Sequence, residues 1–221
     1  MPGLLFRKGE AVSRDIFQID AFTDQLYSGN PAAVCFLDRL DDDVWMQNVA
    51  TEINLSGTAF LAPQKIGYHL RWFTPTFEVD LCGHAMLASA HALWESGRLL
   101  QDKIAQFQTR GGTLTAARRG NWIELDLPSE IAEPCEPPQC LLEAIGLTPV
   151  FVGKNRFDYL VVIDSATDLR NLAPDFLLLR GVDTRGVIVT SPSDVGDFDF
   201  LSQFFASGSG IDEDPVTGSA H

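Results

Sequence analysis

Nothing in this 221-residue chain approaches the run of about 18 apolar residues that a membrane span requires. Basic residues are scarce: 16 Lys plus Arg face 30 Asp plus Glu, for a net charge of −14. Arg7-Lys8 and Arg118-Arg119 are the basic clusters, too short for a footprint on nucleic acid or anionic lipid, so neither partner is expected. A small anionic substrate stays compatible with the charge, because a cleft can be locally positive on an acidic protein. The four cysteines (Cys35, Cys82, Cys135 and Cys140) lack metal-ligand spacing, and the apolar or helix-start contexts of Cys35 and Cys82 fit reduced thiols of a cytoplasmic protein. His69 and His91 have no Cys or acidic partner at zinc spacing, and no phosphate loop or dinucleotide fingerprint occurs. Met1 to Glu10 has no long apolar core and no cleavage signature, so it reads as a flexible leader and not a signal peptide.

What is present is an ordinary globular composition, 45% hydrophobic and 10% aromatic, with length enough for one large core or two small ones. Its centre is Glu78 to Trp94. An acidic pair, Glu78 and Asp80, leads into Cys82-Gly83-His84, and no charge follows until Glu95. A helix without charge on any side is buried all round. Its first turn, at Gly83 and His84, offers free backbone N–H groups and a positive dipole end to an anion. The chain's last residues, Glu213-Asp214-Pro215-Val216-Thr217-Gly218-Ser219-Ala220, start the same device again. Aligned on Gly83 and Gly218, Glu78 falls on Glu213, which suggests two similar halves facing a cleft.

Periodicity predicts strands at 15–22, 32–37, 58–62 and 68–73, with a helix from Asp41 through Ile53 carrying Trp45, Val49 and Ile53 at a spacing of four. A meander follows the central helix, at 104–110, 113–118 and 122–127. Pro128, Pro134, Pro137 and Pro138 mark a linker. Beyond it come a helix at 139–145 and strands at 151–152, 159–163 and 186–190. The pattern is α+β. The organisation read from it is a leader over 1–14, one unit over 15–127, a linker over 128–138 and a second unit over 139–221.

The runs Ile19 to Thr23, Gly29-Asn30-Pro31-Ala32-Ala33-Val34, Asn54-Leu55-Ser56, Arg71 to Pro75, Cys82 to Ala85 and Glu213 to His221 resemble, in order, the phenazine-biosynthesis (PhzF-like) isomerases, relatives of diaminopimelate epimerase. The resemblance implies two related half-domains, each a curved, mostly antiparallel sheet around a central helix. It implies a cofactor-free shift of one carbon-bound proton on a small carboxylate-bearing substrate, amino-acid-like or dihydroaromatic, in a biosynthetic process. Paired-domain relatives suggest a homodimer. Two departures stand out. The second motif ends at His221, so the second half is expected to be truncated, without its central helix. The family's catalytic Glu, from an Asn-Leu-Ser-Glu-Thr motif, is replaced by Gly57 in Asn54-Leu55-Ser56-Gly57-Thr58.

By the resemblance His84 and Asp214 are catalytic, and Gly83, Gly218 and Ser219 line the substrate site. From the residues alone, a His beside Gly at a helix start is equally a cap or core residue, and Thr-Gly-Ser is ordinary turn chemistry. Asn30 is either a substrate contact or turn material. Glu78 and Asp80 are the carboxylates nearest the missing base, and Glu78 is read as structural because Glu213 repeats it. Cys82 would need a thiol facing it to act as a racemase. Thr217 stands there instead, so Cys82 is read as a small apolar residue. The rival to an impaired isomerase is an inactive member kept for ligand binding or protein interaction.

Overall fold

The computed structural model describes residues 14–25, 27–127 and 129–220, apart from the side chains of Ser209 and Ser219. The 1–14 leader thus lies outside the described residues except for Arg14, which pairs with Asp41 at 2.5 Å and stacks over Trp45 at 4.0 Å. Among the described residues no helix is long and apolar enough to cross a membrane.

The strands β1 (Ile16–Ala21), β2 (Asn30–Phe36), β3 (Gly57–Pro63), β4 (Tyr68–Phe73), β5 (Glu78–Val79), β6 (Ala105–Thr109), β7 (Gly112–Arg119) and β8 (Trp122–Asp126) form one sheet. Its order is β1-β2-β3-β4-β6-β7-β8, with β5 on β4, and only the β2–β3 and β4–β6 pairs are parallel. The two helices of this half cover its faces: α1 (Asp43–Ile53) and α2 (Gly83–Glu95). Alternation sorts the strands between them. Ala59 and Leu61 of β3, with Ala32 and Val34 of β2, pack on α2, whereas Phe60, Ala62 and Cys35 turn to Met46 and Ala50 of α1. The Trp45–Val49–Ile53 stripe flanks that contact, and the fully buried helix positions are Met46 and Ala50.

The sheet curls round α2, for the helix touches β1, β2 and β3 near one end of the strand order and β8 at the other. Met86, Leu93 and Trp94 of α2 are fully buried, and each such large apolar side chain contributes about 1.5–3 kcal/mol. Asp42 caps α1 by accepting from Trp45 N–H, and Asn54 ends it in the left-handed region. The chain therefore leaves α1 abruptly and reaches Ser56 and Gly57 at the start of β3.

The second sheet runs in the order β14-β13-β12-β11-β10-β9. Its strands are β9 (Glu133–Pro134), β10 (Phe151–Lys154), β11 (Asp158–Val162), β12 (Gly186–Pro192), β13 (Phe200–Ala206) and β14 (Ile211–Asp214). β9 lies inside the stretch read as a linker and pairs with β10. One face, through Tyr159, Val161, Val187, Val189 and Phe205, is covered by α3 (Gln139–Ile145), α4 (Ala166–Arg170) and α5 (Phe176–Leu179). The opposite face holds a small cluster of Ile188, Phe204 and Ala206. Leu160 and Ile188, paired across β11–β12, line a cleft of about 1650 Å³ whose far wall includes Leu125 and Leu127. Where the sequence repeats the helix start, the chain makes a single 3₁₀ turn at Gly218–Ala220.

Candidate active site

The start of β2, the start of β3, the N-terminus of α2 and the end of β14 meet at one place, and each delivers a named side chain. Gly29, at φ +77°, turns the chain so that Asn30 opens β2 with only 1% of its surface exposed. A Cβ on Gly29 would meet the Ala21 carbonyl oxygen at 2.2 Å, so glycine is required there. The Asn30 amide nitrogen donates to Asp214 Oδ1 at 2.6 Å and to the Val216 carbonyl at 2.9 Å. Its oxygen accepts from Ser56 Oγ at 3.1 Å. Ser56 Oγ lies 3.2 Å from His84 Nε2, and the other ring nitrogen, Nδ1, lies 3.5 Å from Cys82 Sγ. Thr217 Oγ1 closes the far end by donating to Asp214 Oδ2.

Cys82 is the N-cap of α2 and makes no side-chain cap bond, which leaves its sulfur to His84. Gly83 and Gly218 face each other: a Cβ on Gly83 would stand 3.4 Å from the Gly218 Cα. The first turn of α2, whose N–H groups have no partner within the helix, is thus apposed to the Gly218–Ala220 turn, a setting suited to a carboxylate. His84 is buried at 6% exposure. Burial pulls its pKa down, but the Cys82 sulfur and the Asp214 carboxylate outweigh burial, so the imidazole is more basic than an ordinary histidine.

Gly57 is buried against these groups. A Cβ there would begin 2.8 Å from His84 Nε2 and 3.0 Å from Cys82 Sγ. The expected site residues Asn30, Gly57, Gly83, His84, Asp214 and Gly218 therefore gather in one cluster. Ser219 lies on the same turn, and its side chain is outside the described residues. Asn30 has internal partners on both ends of its amide. Glu78 is held by Arg71 through both carboxylate oxygens and by Arg110 at 2.7 Å, so it is tied to the sheet, and Asp80 is exposed. Thr217 is committed to Asp214 instead of facing Cys82 as an acid. Sequence reasoning missed Ser56, although a hydroxyl just before the glycine of the Asn-Leu-Ser motif was its signal, and missed Phe22, whose ring stands 3.4 Å from a Cβ placed on Gly218. Among the described residues no three His, Cys, Asp or Glu side chains gather as a metal site would need.

Comparison with known proteins gives the chain's family. The family described as phenazine biosynthesis-like protein matches residues 19–221. An uncharacterized isomerase of Halalkalibacterium halodurans is 55% identical over 209 residues, spanning 93% of this chain and 78% of its relative. The crystal structure of a phenazine biosynthesis protein of the PhzF family from Enterococcus faecalis superposes with a TM-score of 0.86 at 36% identity, over 95% of this chain and 80% of the other. A Pseudomonas aeruginosa protein described as a predicted epimerase shares the fold at a TM-score of 0.69 and 23% identity, over 94% of this chain and 78% of its own. With an α+β fold shared with a PhzF-family crystal structure, a family match over residues 19–221 and relatives named isomerases, this chain belongs to the PhzF-like family of phenazine-biosynthesis-like isomerases.

Proposed function

We propose that the chain is a cofactor-independent isomerase that moves one carbon-bound proton on a small carboxylate-bearing substrate, amino-acid-like or dihydroaromatic, in a biosynthetic process of the cytoplasm. The observation that carries this reading is the convergence of His84, Cys82 and Asp214 beside the apposed Gly83 and Gly218 turns. The N–H groups of those turns would bind the substrate carboxylate and stabilise the charge that develops when a proton leaves carbon. His84 would carry the proton, with Asp214 supporting its charged form. Gly57 removes the family's base, and losing a general base costs about 10² to 10⁴ in rate, so turnover is expected to be slow. By analogy with its relatives it would act as a homodimer.

Gly57 also favours a second reading, in which the site binds a small carboxylate without turning it over. One experiment separates the two. Small cyclic amino acids and dihydro-hydroxyanthranilates are incubated with the protein in D₂O, and deuterium entering a C–H position is followed by NMR. Exchange that is lost in His84→Gln supports the isomerase. Binding by calorimetry with no exchange for any bound compound supports the binding protein and overturns the enzyme reading.

A further inference from the structure

The hydrogen bonds around His84 fix the direction of every proton in them. Val216 offers a carbonyl and Asp214 a carboxylate, both acceptors, so the Asn30 nitrogen must face them and its oxygen must face Ser56. The single Ser56 hydroxyl proton is then spent on Asn30. Ser56 Oγ can only accept from His84, which places a hydrogen on Nε2. In the neutral imidazole the lone pair is left on Nδ1, and the atom facing it is Cys82 Sγ at 3.5 Å.

We propose that Cys82 and His84 form a thiol–imidazole proton-exchange pair, with the shared proton between Sγ and Nδ1, and that this pair fills the acid–base place left by Gly57. It rests on the isomerase reading for its use, though not for its existence. The pair lies beneath the wall of the large cleft: Leu81, which precedes Cys82, and Gly218, which faces Gly83, line that cleft, while His84 itself is buried. The groups facing His84 are Cys82 from its own helix, Ser56 and Gly57 from the entry to β3, and the Asp214 carboxylate from β14.

The proton count closes. The S–H bond breaks and an N–H bond forms at Nδ1, giving thiolate and imidazolium. The thiolate then takes a proton from the substrate carbon, re-forming S–H and leaving the electron pair on the substrate. Nδ1–H finally gives its proton to a neighbouring carbon, and both side chains return to their neutral forms. No oxidant or other reactant enters.

The first test is NMR of the ¹⁵N-histidine-labelled protein, with the His84 signals identified by replacing His69, His91 and His221 in turn. Nε2 is expected to stay protonated through a pH titration while Nδ1 alone gains and loses its proton. A neutral His84 with its proton on Nδ1 overturns the proposal. The second test is iodoacetamide labelling at pH 7, read for each cysteine by mass spectrometry. Cys82 alkylation is expected to fall about tenfold in His84→Gln, with Cys135 and Cys140 unchanged. Unchanged Cys82 labelling overturns the proposal. If buried Cys35 becomes labelled in that variant, its fold is lost and the tautomer spectrum of the unmutated protein decides alone. A protein that shows both signatures yet exchanges no substrate proton supports the pair and overturns the isomerase reading instead.

Discussion

Gly57 and His84 are so close that a Cβ on the first would begin 2.8 Å from Nε2 of the second. The imidazole and the Cys82 sulfur occupy the space into which a side chain at 57 would grow. Both are side-chain ends, so a larger residue is admitted only when His84 swings away from Ser56.

Gly57→Glu is accordingly expected to fold, to break the Ser56–His84 bond and to supply a carboxylate base. With an accepted substrate, deuterium exchange should rise by about 10² to 10⁴. Gly57→Ala displaces the ring without adding a base and should show no gain. A folded Gly57→Glu protein that exchanges no faster would place the base elsewhere.

Asn30 ties the second half of the chain to the first. Asn30→Ala leaves Asp214, Val216 and Ser56 each short of a partner, and a bond to a charged group contributes about 1.5–3 kcal/mol. Urea denaturation should show a loss of that order, and an unchanged midpoint would mean that the bridge carries nothing.

Gly29→Ala attacks the same bridge through the backbone. A φ of +77° costs an L-residue about 1–3 kcal/mol, and the methyl would meet the rigid Ala21 carbonyl at 2.2 Å. Stability and exchange should fall together. A variant as stable as the parent would show that this turn can rearrange.

The pH dependence of stability has a defined sign. His84 is more basic in the fold than its ordinary 6.5, so its contribution is complete below that value and is lost as pH rises through the higher folded value. The buried Cys35 thiol, pushed up to about 11, is linked the same way above its ordinary 9.0. The urea midpoint should decline from pH 6 upward, and His84→Gln should flatten the neutral part of that decline. A parent midpoint that climbs over this window contradicts the assignment.

Glu78→Gln should lower the melting temperature and leave exchange per folded molecule unchanged. Its carboxylate holds Arg71 and Arg110, and Arg71 also spans to Asp43. Loss of exchange without loss of stability would make Glu78 a reacting group after all.

The elements with a plain period were legible in the sequence. The charge-free stretch from His84 to Trp94 became α2, and the alternation at 104–127 became the β6–β7–β8 meander. α4, α5 and β14 were not, because helices of 5 and 4 residues and a strand of 4 are too short to show a period, and tertiary contacts decide them. His84 and Asp214 were visible only through motif resemblance. The partners of Ser56 and the internal role of Asn30 were invisible, because they depend on hydrogen-bond direction across segments far apart in the chain.

That distance sets a clock. Asn30 and Asp214 are separated by 184 residues. At a synthesis rate of about 5–20 residues per second, roughly ten to forty seconds pass between the emergence of one and the other. The first sheet can close on α2 in that interval, yet the Asn30 amide waits in water for its carboxylate. No nascent chain can act on a substrate before its second sheet has docked.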